Sequence, residues 1–80
     1  MEGPNCYVIL FDSTHQAMSA ESALRSAGVR HAVINTPREF TVNCGISLRI
    51  AVELRDAAVA ALDERGVVYA GVEPYRSRWV

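Results

Sequence analysis

No Cys-x-x-Cys pair occurs in this chain, and Cys6 and Cys44 are its only cysteines. That absence argues against paired-thiol metal sites and thioredoxin-type exchange, both of which need two sulfurs at short spacing. There is no glycine-rich phosphate loop, and the strands lack the paired aromatics and basicity of an RNA-recognition module. Charge of either sign is not in excess: Lys and Arg total 8 against 9 Asp and Glu, for a formal net charge of −1. Nothing electrostatic therefore draws the chain to nucleic acid or to an anionic membrane. Its longest apolar runs fall far short of the roughly 20 residues that a membrane helix requires. The opening "MEGPN" has neither the basic region nor the apolar core of a secretory signal. Two cysteines in such a chain fit free thiols in a reducing compartment, so a cytoplasmic location is expected.

What is present is apolar and strongly patterned. Half of the 80 residues are hydrophobic, enough for one small core and one domain spanning residues 1–80. The core is expected over about 5–75, with 76–80 as a C-terminal tail. "CYVILF", Cys6 to Phe11, is apolar throughout and predicts a strand covered on both faces. "DSTHQAMSAESALRSAG" turns helical. Ser13, with Gln16 three residues on, forms a capping-box start, Ala17, Ala20, Leu24 and Ala27 share a face, and Gly28 is placed to end the helix. "VRHAVI" predicts strand two over Val29 to Ile34, and "ISLRIAV" alternates as strand three. "ELRDAAVAALDERG" predicts a second helix with an apolar stripe of Leu54, Ala58, Ala61 and Leu62 and no obvious N-cap. "VVYAGVEPY" supplies the last strand.

The order β-α-β-β-α-β predicts an α+β, ferredoxin-like two-layer sandwich, with two helices on one face of a four-stranded antiparallel sheet. The halves echo each other, since "LRSAGVRHA" and "LDERGVVYA" repeat leucine, glycine, valine and alanine in register. Strands one and two should run parallel, with strand three returning between them. The start of helix one and the connection ending at Cys44 then share one end of the sheet, together with Arg65 and Gly66. Cys6 enters at the other end, ~20 Å away along six strand residues, so the two cysteines should not pair. Two helices cover only one sheet face, while strand one is apolar on both. The open face is therefore expected to be buried in a homodimer or against a partner.

The stretch "TPREFTVNCG", Thr36 to Gly45, does not read as scaffold. Cys44 admits two readings. It is either a small apolar residue at a strand start, or a reactive thiol beside the amides and partial positive charge of the helix-one N-terminus. Gly45 would leave the sulfur unobstructed and permit special backbone conformations. Arg38, His15 and Arg49 are its candidate cationic neighbours. With Asn43 and Gly45 giving little apolar cover, the thiol is expected to titrate below a free cysteine. Cys6 reads as core. Ser13 and Thr14 are accounted for by capping. The closing "YRSRWV" reads either as a partner surface or as a frayed tail.

On "FDSTHQAMSAESAL", "TPREFTVNCGISLRI" and "GVVYAGVEPY", the chain resembles a bacterial and archaeal family of small domains, the selenium/sulfur (Se/S) carrier-like proteins. The resemblance runs from Tyr7 to about Tyr75, and Thr-Pro-Arg-Glu followed by Cys-Gly is its specific part. It implies that Cys44 holds sulfur or selenium as a persulfide or perselenide. The donor would be of the cysteine desulfurase class, with an acceptor protein downstream, and no metal or cofactor would be needed. The Cys-Pro-x-Pro motif of other sulfur carriers is absent. Two further readings stay open: a regulatory or scaffolding module that binds an anion or a protein, with Cys44 structural, and an enzyme with a Cys44–His15 dyad.

Overall fold

The computed structural model describes residues 3–78. Its elements are β1 (Cys6–Leu10), α1 (Thr14–Ser26), β2 (Ala32–Asn35), β3 (Ile46–Ala51), a 3₁₀ turn (Val52–Leu54), α2 (Arg55–Glu64) and β4 (Gly71–Tyr75). The strands form one antiparallel sheet in the order β2-β3-β1-β4. This is the two-layer α+β arrangement that the element order predicts, with β3 returning between β1 and β2.

Each helix is stopped in the same way. Gly28 and Gly66 adopt φ of 74° and 67°, a left-handed conformation that a side chain resists. After α1, Val29 N–H reaches back to the Leu24 carbonyl (2.9 Å) and Gly28 N–H to that of Arg25 (3.2 Å). After α2, Val67 N–H bonds the Leu62 carbonyl (2.9 Å) and Gly66 N–H that of Asp63 (3.1 Å). These are two Schellman motifs, each anchored by a fully buried leucine. The echo between the two halves of the sequence is therefore a repeated stop signal. At the other end of α1, Ser13 Oγ accepts Gln16 N–H (3.2 Å), and the Gln16 side chain accepts Asp12 N–H (3.1 Å). The capping box closes one residue further back than the standard form. α2 starts without a side-chain cap.

Strand pleating sorts the sheet into two faces. Ile9, Phe11, Leu48 and Ile50 join Ala17, Ala20, Ala23 and Leu24 of α1 and Ala58, Ala61 and Leu62 of α2 in one buried cluster. Alanine along both inner helix faces lets the helices settle close to the sheet. The opposite face carries Cys6, Val8 and Leu10 of β1, Ser47 and Arg49 of β3, and Glu73 and Tyr75 of β4, as the strand register dictates.

That second face is covered along β1 by the chain itself. Cys6, Val8, Leu10 and Ser47 are all buried within the single chain, Val8 completely. The segment from Thr36 to Gly45 supplies the cover. Its ends are pinned by Thr36 N–H to the Gly45 carbonyl (2.9 Å), and Thr36 Oγ1 lies 2.6 Å from Ser47 Oγ on β3. Four residues on, the Phe40 ring meets Tyr75 on β4, with centroids 5.9 Å apart. Since β1 lies between β3 and β4, the chain joining these anchors crosses the outward row of β1. The long connection is a compact loop with closed ends, and it takes the place that the sequence reading assigned to a homodimer or a partner.

Three boundaries differ from the sequence reading. β4 begins at Gly71, four residues after Val67, because the Val67 N–H is taken up in the α2 stop. The tail is clamped through Ser77, with Asn5 Nδ2–H to the Ser77 carbonyl (2.7 Å), Ser77 N–H to Asn5 Oδ1 (2.9 Å) and Arg76 to the Gly3 carbonyl (3.0 Å). Trp79 of the proposed partner surface lies outside the described residues. β2 begins at Ala32, three residues later than expected. Val29 continues the helix stop into the core, and His31 is held off the strand line by its ring. Nδ1 of that ring bonds the Val29 carbonyl (2.8 Å), and Nε2 faces Glu21 of α1 (2.9 Å).

Truncating Phe40 tests the cover. Phe40→Ala is expected to lower unfolding stability by about 1–2 kcal/mol, below the range for a fully buried phenylalanine because Phe40 is half-buried. Chemical denaturation with an unchanged m-value checks this.

Candidate functional site

The topology brings Cys44 to the head of α1. Its sulfur lies 4.0 Å from Oγ1 of Thr14, the first residue of the helix, and accepts the Ile46 backbone N–H at 3.4 Å. The Cys44 carbonyl accepts a hydrogen bond from Thr36 Oγ1 (3.0 Å). That fixes the hydroxyl network, because the Thr36 proton goes to the carbonyl and Ser47 must donate to Thr36 Oγ1. Cys44 is thus fastened from both sides, its sulfur by its own turn and its carbonyl by the loop closure. The first-turn amides of Thr14 and His15 have no partner within the helix, as at any helix start, and they carry the positive end of the macrodipole.

Burial departs from expectation. Cys44 is only 4% exposed and belongs to the helix-side core cluster, where Asn43 and Gly45 were expected to give little apolar cover. The cover comes instead from the core residues around it, and what lies outside is thin, since Thr14, Asn43 and Gly45 are all exposed. Gly45 has no positive φ, and a Cβ built there would meet open space. Its glycine character is therefore not required by the backbone.

The other expected site residues scatter. Ser13 is spent as the α1 cap. Arg38 sits in the turn from Pro37 to Phe40, between the two loop anchors on the open face of the sheet, and makes no hydrogen bond or ion pair with another described residue. His15 is exposed on α1 and lines a groove with Met18, Arg65 and Val68. It makes no hydrogen bond to Cys44, so the dyad has no base in place. Arg49 lies beside Cys6, not Cys44. Sequence reasoning named Thr14 as a supporting residue at the helix start without foreseeing the hydroxyl contact, and missed the Ile46 amide as a donor. The second has no sequence signature, because it depends on how the chain turns between Cys44 and Ile46.

Cys6 is on the far face and the far end, opposite Ala51 and Tyr75. Its thiol donates to the Tyr75 carbonyl (3.3 Å), and both cysteines are free. Burial pushes the Cys6 thiol above its ordinary range, opposed by the Arg49 guanidinium and a backbone hydrogen bond from Ser77. Among the described residues no helix is long and apolar enough to cross a membrane, and no group of three or more His, Cys, Asp or Glu could hold a metal ion.

A sheet with two helices on one face and one of its two thiols at a helix start is a small α+β domain with a cysteine at the helix N-terminus. The family described as "Putative Se/S carrier protein-like" matches residues 6–74, and the chain belongs to that family. No curated protein and no solved structure shows significant similarity to it.

Two measurements separate the cysteines. Native Cys6 holds its proton more tightly than the unfolded thiol. Its contribution to stability is therefore complete below the unfolded pKa and declines as pH rises above about 8.5. Cys6→Ala should flatten that alkaline decline in urea titrations, even though its stability at neutral pH is lower. Cys44→Ser, which places a hydroxyl in a largely apolar pocket with two partners still in reach, should cost about 1 kcal/mol by the same assay.

Proposed function

We propose that the protein carries sulfur or selenium on Cys44. The observation that supports this reading best is the polar setting of a buried sulfur, with the Ile46 N–H donated to it, the Thr14 hydroxyl beside it and the α1 amides at hand. Such donors are placed to hydrogen-bond a sulfur that bears charge during exchange. A persulfide is more acidic than a thiol, and its outer sulfur would extend toward the thin cover of Thr14, Asn43 and Gly45, where the helix dipole is most positive.

Loading would follow thiol exchange. The Cys44 thiolate attacks the outer sulfur of a donor persulfide, a new S–S bond forms, the donor's S–S bond breaks, and the donor cysteine leaves as a thiolate. No electrons are gained or lost overall, and no cofactor enters. An acceptor nucleophile reverses the step. A desulfurase of the cysteine-dependent class is the natural donor, and two free thiols suit the reducing cytoplasm. Neither Arg38 nor His15 has a part in this scheme.

A second reading, a regulatory or scaffolding module with Cys44 structural, is favoured by one observation, the burial of the side chain in the core cluster. The two part in experiment. Intact-protein mass spectrometry after incubation with a cysteine desulfurase and cysteine should show one added sulfur on wild type and on Cys6→Ser, and none on Cys44→Ser. An unmodified wild type, together with native Cys44 that resists iodoacetamide at neutral pH, selects the structural reading.

A further inference from the structure

The late start of β2 leaves an opening at the end of the sheet far from Cys44. Ala32 is the last β2 residue to pair with β3, opposite Arg49, so beyond it the β3 edge at Ile50 and Ala51 has no strand beside it on that side. The peeled-off chain, held by the His31 ring, forms the opposite wall. Between them lies a cleft of about 250 Å³.

Its chemistry is one-sided. Arg30 and Arg49 both line it, and among the described residues no Asp or Glu does. Neither arginine makes a hydrogen bond or ion pair with another described residue. The nearby carboxylate of Glu21 is engaged with His31 and Arg25. Two arginines line one small cleft, and a common counter-ion drawn to its mouth would offset the repulsion between their charges, each guanidinium offering a planar fork of donors. Apart from Cys6 and the His31 ring, already bonded to the Val29 carbonyl and Glu21, the rest of the lining is apolar: Ala32, Ile50, Ala51 and Leu54. Cys6 adds no charge of its own to the floor, since its thiol is turned to the Tyr75 carbonyl and burial keeps it protonated.

We infer that this cleft binds a small carboxylate, the charged end on Arg30 and Arg49 and a short apolar body against Ala32, Ala51 and Leu54. A phosphate-sized oxyanion would satisfy the arginines and leave the apolar wall unused. The proposal is independent of Cys44 and of the carrier reading.

Titration of the full chain with sodium butyrate, followed by amide NMR at constant ionic strength, tests it. Saturable shifts are expected at Ala32, Arg49, Ile50, Ala51 and Leu54, with butyramide producing none at those positions. Arg30→Gln and Arg49→Gln should each weaken butyrate binding about tenfold, the scale of one charge-assisted contact. Arg30 is exposed, so Arg30→Gln keeps the test open if Arg49→Gln disturbs the sheet. Absence of saturable shifts, equal shifts with butyramide, unchanged affinity in Arg30→Gln, or binding of inorganic phosphate without butyrate would each overturn the proposal.

Discussion

A four-stranded sheet has two faces, and this chain has helices for only one. β1, one of the two central strands, carries Cys6, Val8 and Leu10 away from the helices and must hide them. Burying that row is worth roughly 1.5–3 kcal/mol for each large apolar side chain, a substantial term for a domain of this size. The ten-residue connection between β2 and β3 is shaped by this need. It is anchored on β3 through Thr36 and Ser47 and on β4 through Phe40 and Tyr75, and it returns in time to begin β3. The clamp of Asn5 on Ser77 closes the same face near Cys6.

The fold was legible in the sequence wherever the signal was local. Apolar periodicity, the Ser13 cap and the two Leu-x-x-x-Gly-Val stops placed both helices, and element order with crossover geometry gave the sheet. The start of β2 differs because Val29, a β-branched strand former, heads the apolar run that includes Ala32, Val33 and Ile34. A helix stop and a ring bridging to Glu21 outweigh that preference, and the bridge joins residues ten apart in sequence. The cover over β1 was foreseen as a need, but its source was not. One aromatic, Phe40, in a polar stretch carries little pattern until Tyr75 is known to lie across from it.

The candidate site was legible to the same degree. Topology placed Cys44 beside α1, and the Thr14 hydroxyl at the sulfur agrees. Charge neighbours did not follow, because sequence proximity says nothing about which side of a sheet a loop takes. Arg38, six residues from Cys44, ends on the opposite face, and Arg49 serves Cys6. The burial of Cys44 was not legible: it precedes β3, and the bend at Gly45 turns its side chain into the same helix-side cluster as Leu48 and Ile50.

The loop that shelters β1 also ends on Cys44, and the Thr36 hydroxyl joins the two by holding the Cys44 carbonyl and meeting Ser47. Access to the sulfur is therefore linked to local unfolding. An excursion that frees Thr36 from Gly45 and Ser47 would bare the thiol and the outer row of β1 together, and the fraction of time spent open would set the rate at which any reagent finds the sulfur. A partner that grips the opened loop would do two tasks at once, shielding the hydrophobic row and presenting the thiol. Exposure of the cysteine would then be gated by recognition, and an encounter with the wrong molecule would find it closed.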